Sequence, residues 1–124
     1  MIALGNRLHG FAHPDTRQAM QQFYGTLLGC LVRELDSGLQ HPIMLITTAG
    51  GSFSVEFVDD APDPEQPWRG AWIEFITDDV PALHQRLRDA KTPEFRHPGS
   101  PHLYFRAPNG QVLRLLTEAQ LKSP

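Results

Sequence analysis

The chain has 124 residues, a formal net charge of −3 and a single cysteine, Cys30. This length suits one domain with its own hydrophobic core and is too short for two independent ones. The 11 basic residues are spread along the sequence, which argues against nucleic-acid binding and against a basic membrane-binding patch. One cysteine excludes an internal disulfide and a thiolate zinc cluster within one chain.

The N-terminal segment MIALGNRLHG lacks the basic and apolar regions of a signal peptide. No apolar run approaches the roughly 20 residues that a membrane helix needs. We therefore expect a soluble cytoplasmic protein with no membrane attachment. Cys30 follows a glycine at the predicted end of a helix and lies in an apolar run, which predicts a buried thiol.

The sequence pattern in the first half of the chain predicts a strand, a helix and three further strands. A β-rich run at 7–13 leads into Asp15, a residue type that often caps a helix N-terminus. Apolar residues then recur at helical spacing up to Gly29, which predicts the end of the helix. Strands are predicted at 31–36, 42–48 and 52–58, with breaks at glycine-containing turns.

The same order of elements recurs in the second half. A strand at 71–77 leads into Asp78-Asp79, which predicts the cap of a second helix. Strands follow near 94–97, 102–106 and 111–117, and Asn109-Gly110 predicts a tight turn before the last one. The acidic, proline-rich segment 59–70 reads as a linker. We thus expect one domain of two modules, at about 4–58 and 71–117.

Two pairs of matching positions relate the modules. His9 and Trp72 are 63 positions apart, whereas Glu56 and Arg114 are 58 apart. The second module is therefore about five residues shorter, and the deletion is expected in its meander of strands. Helical spacing and strand alternation together predict a core of ten apolar residues: Phe23, Leu27, Phe53, Val55, Ile73, Phe75, Leu83, Leu87, Leu113 and Leu115. The opposite faces would line a common cavity if the sheets curve around it, with His9, Glu56, Trp72, Glu74 and Arg114 on its wall.

These motifs resemble the glyoxalase, bleomycin-resistance and extradiol dioxygenase superfamily, which has the vicinal oxygen chelate fold. FYGTLLG after His9 is similar to its "H…FY…LG" opening, WIEFITDDVPAL to its strand and aspartate-capped helix, and FRAPNGQVLRL to its closing segment. The resemblance spans about Leu8 to Leu116. It implies an α+β fold of two βαβββ modules, whose sheets form an open, barrel-like curved sheet around a ligand cavity, often in a homodimer.

In metal-dependent members, the ligands are typically two imidazoles and two carboxylates from the first and fourth strands of each module. The matching positions are His9, Glu56, Trp72 and Arg114, so two ligands remain. Arg114 would put a permanent positive charge where a divalent cation should sit. We therefore expect no metal or other cofactor. The alternative is a divalent metal ion on His9 and Glu56, which His102 could complete as a two-histidine, one-carboxylate triad.

Arg114 has three interpretations. It could form a structural salt bridge with Glu56 or Glu74 that replaces the metal. It could bind a carboxylate or phosphate of a small ligand, with Trp72 as a stacking face. It could also extend to solvent.

Other polar residues of the second module carry weaker signals. His102 and Tyr104 alternate on one predicted strand and could line the cavity. His84 is expected to be solvated on the polar face of the second helix.

Two function classes follow from these residues. The first is a metal-free binding protein, similar to the drug-sequestering bleomycin-resistance members, that holds a small polar or anionic molecule without transforming it. The second is a metal-dependent lyase, isomerase or dioxygenase with an unorthodox site, or a metal-free isomerase in which Glu56 or His9 moves a proton. The missing ligands favour the first.

Overall fold

The computed structural model describes residues 2–35, 41–65, 72–96 and 102–121. The chain forms two compact units that divide between Pro62 and Asp63. This division falls inside the proline-rich segment 59–70, of which 66–70 lies outside the described residues. No helix in the described ranges is long and apolar enough to cross a membrane.

Unit 1 contains a four-stranded mixed sheet with one interrupted helix. Its elements are β1 (Arg7–Ala12), a 3-10 turn (Pro14–Thr16), α1 (Arg17–Gln21) running into a π-helical segment (Gln22–Leu27), β2 (Leu31–Leu35), β3 (Ile43–Thr47) and β4 (Ser52–Phe57). The strand order is β1-β4-β3-β2. β1 runs parallel to β4, and the other neighbours are antiparallel.

Unit 2 repeats this plan. Its elements are β5 (Trp72–Ile76), α2 (Val80–Asp89), β6 (Glu94–Arg96), β7 (Leu103–Arg106), β8 (Val112–Leu116) and a short α3 (Glu118–Leu121). The strand order is β5-β8-β7-β6, again with the first and last strands parallel. The α+β class and the two βαβββ modules are therefore confirmed, and each sheet is open at both edges.

Strand register shows that the predicted matching positions are equivalent. In unit 1, His9 lies opposite Ser54 and Phe11 lies opposite Glu56. In unit 2, Trp72 lies opposite Val112 and Glu74 lies opposite Arg114. β2 begins 22 residues after His9, and β6 begins 22 residues after Trp72. The two modules therefore have the same spacing from their first strand to the start of their second strand. The five-residue difference thus lies in the strand meander, as expected.

The second helix begins as predicted, whereas the first does not. The Asp79 side chain accepts a hydrogen bond from the Ala82 N–H, which caps α2. Asp15, expected to cap the first helix, instead lies within the 3-10 turn, so that prediction was wrong. His13 is the cap there, because its Nδ1 accepts from the Asp15 N–H and Pro14 takes the first position of the turn.

The first helix ends at Gly29, as predicted. Its φ of +74° is the left-handed conformation that glycine favours, and the Cys30 N–H donates to the Tyr24 carbonyl. Cys30 is half-buried rather than fully buried, and burial raises the pKa of its thiol.

The predicted core is confirmed in most positions. Six of its residues are buried, and the other four are half-buried. The buried ones are Phe23, Phe53, Val55, Leu87, Leu113 and Leu115, and the half-buried ones are Leu27, Ile73, Phe75 and Leu83.

His84 was wrongly predicted to be solvated. Its ring packs against Phe105 with centroids 5.2 Å apart, and its Nε2 is buried without a hydrogen-bond partner among the described residues. The reason is helical geometry, since His84 precedes the buried Leu87 by three positions and shares its face.

Candidate functional site

Unit 1 brings together His9, Ser54 and Glu56, which we call the Ser54 cluster. His9 lies on β1 directly opposite Ser54 on β4. Its Nδ1 is 2.6 Å from Ser54 Oγ, and its Nε2 is 3.5 Å from Glu56 Oε1. Ser54 and Glu56 share a face of β4 because they are two residues apart. His9 and Glu56, which were predicted to lie on the same cavity wall, are thus in contact with each other, and Ser54 is an addition.

The contacts of His9 favour one tautomer of a neutral imidazole. A carboxylate only accepts hydrogen bonds, so the nitrogen facing Glu56 carries the proton, and Nδ1 accepts from the Ser54 hydroxyl. The edge of the ring also meets Phe11, with centroids 5.3 Å apart. The His9 and Glu56 side chains are 42% and 27% exposed, so small molecules can reach both.

Unit 2 brings together Trp72, Glu74, Tyr104 and Arg114, which we call the Arg114 cluster. On β8, Arg114 lies between Glu74 of β5 and Tyr104 of β7. Its Nη2 donates a charge-assisted hydrogen bond to Glu74 Oε2. A salt bridge of Arg114 with a carboxylate is therefore present, with Glu74 as the partner. Glu56 contacts His9 instead.

The guanidinium of Arg114 is not extended into solvent. The side chain is only 20% exposed, and its buried Nε has no hydrogen-bond partner within the described ranges. A buried N–H without a partner is costly, so the Arg114 side chain carries an unsatisfied donor next to its ion pair with Glu74.

Aromatic residues lie next to the charged pair, since Tyr104 is the register neighbour of Arg114. Trp72 and Tyr104 meet edge to face at 5.5 Å, and Phe95 stacks on Tyr104 at 6.2 Å. Trp72 remains 45% exposed, which leaves ring surface available to a ligand. His102 is exposed and lies immediately before β7 rather than within it.

Two of these contacts were missed from the sequence. Phe95 contacts Tyr104 of the Arg114 cluster because β6 pairs with β7 and sets Phe95 opposite Tyr104. Ser54 contacts His9 because β4 pairs with β1 and sets Ser54 opposite His9. The alternation of Ser54 with Glu56 was a visible signal, but only register identifies the facing residue.

The donor set does not fit the metal site that the resemblance implies. His9 and Glu56 can coordinate a cation, whereas the equivalent Trp72 and Arg114 cannot. Within residues 2–35, 41–65, 72–96 and 102–121, no group of three or more histidine, cysteine, aspartate or glutamate side chains could hold a metal ion. Two donors in contact with each other are a weaker site than the three or four protein ligands usual for catalytic metals.

Sequence comparison matches the chain to no family model and to no curated protein. Solved structures do match it over nearly its whole length. A fosfomycin resistance protein from Listeria monocytogenes is 11% identical, with a TM-score of 0.70 and 99% of this chain and 98% of that chain covered. A Bacillus anthracis protein assigned to the glyoxalase family is 13% identical, with a TM-score of 0.71 and coverage of 93% and 94%.

A third similar structure is the trypanothione-dependent glyoxalase I of Leishmania major. It is 14% identical, with a TM-score of 0.75 and coverage of 98% of this chain and 91% of that chain. Because the sequence identities are this low, the similarity shows a shared fold and not a shared activity. The chain therefore has the glyoxalase fold, also called the vicinal oxygen chelate fold.

Proposed function

We propose that the protein binds a small anionic molecule at the Arg114 cluster without a metal ion or other cofactor. One observation carries this proposal. The position equivalent to Glu56, a carboxylate that could bind metal, is occupied in unit 2 by a guanidinium held in place by Glu74. A fixed positive group can bind an anion directly.

The geometry of Arg114 supports anion binding. Glu74 engages Nη2, which leaves Nη1 as a further donor on the same planar group. Planar guanidinium donors match the oxygens of a carboxylate or phosphonate. Because the contact with Glu74 already orders the side chain, less conformational entropy is lost when a ligand binds.

The aromatic residues support a small organic ligand rather than a free inorganic ion. The exposed ring of Trp72 offers apolar surface beside the charged groups, and Tyr104 closes one side. His9, Glu56 and His102 were proposed as ligand-binding residues from strand alternation, and anion binding at the Arg114 cluster does not require them.

A solved relative illustrates the difference in chemistry. A mutant of the Listeria fosfomycin resistance protein, 12% identical to this chain, was crystallised with Mn(II) and a dihydroxypropylphosphonic acid. In this chain we propose that Arg114 contacts the anionic group directly. Sequestration of a drug-like anion by a cytoplasmic homodimer, as in bleomycin-resistance proteins, is part of the same proposal.

Calorimetric titration with phenylphosphonate, benzoate and benzamide tests the proposal. The two anions should bind, and neutral benzamide should not. Arg114→Gln should abolish the binding. Arg88→Gln is the matched control, because it breaks a surface pair with Glu94 and leaves the Arg114 cluster intact. Equal binding by the parent and Arg114→Gln would refute the proposal.

The alternative is an enzyme of the same superfamily with an unorthodox metal site or a metal-free proton transfer. The contact between His9 and Glu56 favours it, since a carboxylate beside an imidazole suits a general base. Elemental analysis of the purified protein distinguishes the two. A stoichiometric metal that is lost on His9→Ala would favour the enzyme.

A further inference from the structure

The Ser54 cluster contains a hydroxyl, an imidazole and a carboxylate in consecutive contact. We propose that Ser54 is a nucleophile that accepts acyl groups from activated esters, with His9 as its general base and Glu56 as a positioning residue. This activity belongs to unit 1 and is independent of anion binding at the Arg114 cluster.

The distances match those of an activated nucleophile. Ser54 Oγ lies 2.6 Å from His9 Nδ1, within direct reach for proton transfer. Glu56 faces the other ring nitrogen at 3.5 Å, where its negative charge stabilises the imidazolium that forms when His9 takes the proton. A base that contacts the nucleophile and is oriented by a third group is the general arrangement of covalent hydrolytic catalysis.

The sheet holds this arrangement in place. Ser54 lies on β4, which pairs with β1 on one side and β3 on the other. His9 and Leu45 are its two register neighbours, so the backbone at Ser54 is fixed from both sides. His9 is 42% exposed, which allows an ester to approach from solvent.

The reaction needs no co-reactant besides water. Ser54 Oγ attacks the ester carbonyl carbon, and its proton moves to His9 Nδ1. The bond between the carbonyl carbon and the alcohol oxygen breaks, the alcohol leaves with the proton from Nδ1, and the acyl group stays on Ser54. Water then attacks the acyl group, His9 takes and returns one proton, and the carboxylic acid and the free serine are released.

The chain provides a matched control in Ser52. It lies on the same face of β4, two residues before Ser54, and its register neighbour is Arg7 rather than a histidine. Ser52 and Ser54 are both half-buried, so a general reactivity of serines on this strand would modify both residues. Activation by His9 would modify Ser54 alone.

The experiment incubates the full-length protein with p-nitrophenyl acetate and follows nitrophenolate release, with peptide mass spectrometry to locate the acetyl group. We expect the label on Ser54, none at this position in Ser54→Ala, and unchanged labelling in Ser52→Ala. His9→Gln should slow acylation about 100-fold, a typical contribution of general base catalysis. Glu56→Asp should keep more of the rate than Glu56→Gln, which a purely structural role would not require.

The location of the label in the unmodified protein decides the question even if a variant fails to fold. Acetylation of Cys30, of lysines or of the N-terminus with Ser54 unmodified would overturn the proposal. Labelling of Ser54 in folded His9→Gln at the parent rate would also overturn it.

Discussion

Glu74 and Arg114 are direct neighbours across the parallel strands β5 and β8, and Arg114 Nη2 donates to Glu74 Oε2. Their side chains are 35% and 20% exposed, so water only partly screens the pair. Fully exposed ion pairs contribute little to stability, whereas a covered pair leaves an expensive unpaired charge when one member is removed.

We therefore predict that Arg114→Met lowers the free energy of unfolding by about 1–3 kcal/mol, the usual cost of leaving a covered polar group unsatisfied. Adding Glu74→Gln should recover part of this loss, because the remaining charge is then removed as well. Urea denaturation of the two single variants and the double variant measures the coupling. Strictly additive effects would show that the pair does not contribute.

Divalent metals should not stabilise the protein. His9 and Glu56 are two donors, and their equivalents in unit 2 are Trp72 and Arg114. A ligand that binds the folded state tightly raises the melting temperature, so zinc, nickel or manganese should leave it unchanged in a thermal-shift measurement. A rise that His9→Ala and Glu56→Ala both abolish would contradict this prediction.

The free energy of unfolding should fall at acidic pH because of His84. Burial, aided by the charge of Arg88 and opposed by Glu94, lowers the pKa of His84 from its ordinary value of 6.5. The unfolded chain then takes up a proton that the folded chain does not, so stability is present above pH 6.5 and is lost as the pH falls below it. Unfolding measured between pH 5 and 8 should show a weaker dependence in His84→Leu. His13→Gln, which alters an exposed contact with Asp15, is the control.

Gly29→Ala should destabilise the protein by about 1–2 kcal/mol, because a side chain disfavours the left-handed conformation. The backbone of Gly29 has a φ of +74°. Gly50→Ala is the comparison, since an added methyl group there meets nothing within 4 Å and the residue has no positive φ. Thermal unfolding of both variants gives the difference. Equal losses would mean that backbone conformation at Gly29 is unimportant.

The expected homodimer can be tested by light scattering. Edge strands of open sheets present unpaired backbone groups that a symmetric copy can cover. β1 and β2 are such edges in unit 1, and β5 and β6 are in unit 2. We expect the mass of a dimer at micromolar concentration. A monomer at high micromolar concentration would refute it.

The strands and their faces could be predicted because alternation along a strand is local. The matching of Glu56 with Arg114 also followed from sequence spacing. Two partners could not be predicted, namely Glu74 for Arg114 and Ser54 for His9. Each pair depends on the register between two strands that are more than 35 residues apart in the chain. His84 was misplaced because residues three positions apart on a helix share a face, and His84 precedes the buried Leu87 by three positions.

Each cluster is contained within one unit. Ser54, His9 and Glu56 all precede Pro62, and the Arg114 cluster follows Asp63 entirely. A chimera that joins unit 1 of this chain to the second half of another protein of the same fold would inherit the Ser54 cluster whole. Recombination near residue 62 would therefore exchange one cluster and leave the other unchanged.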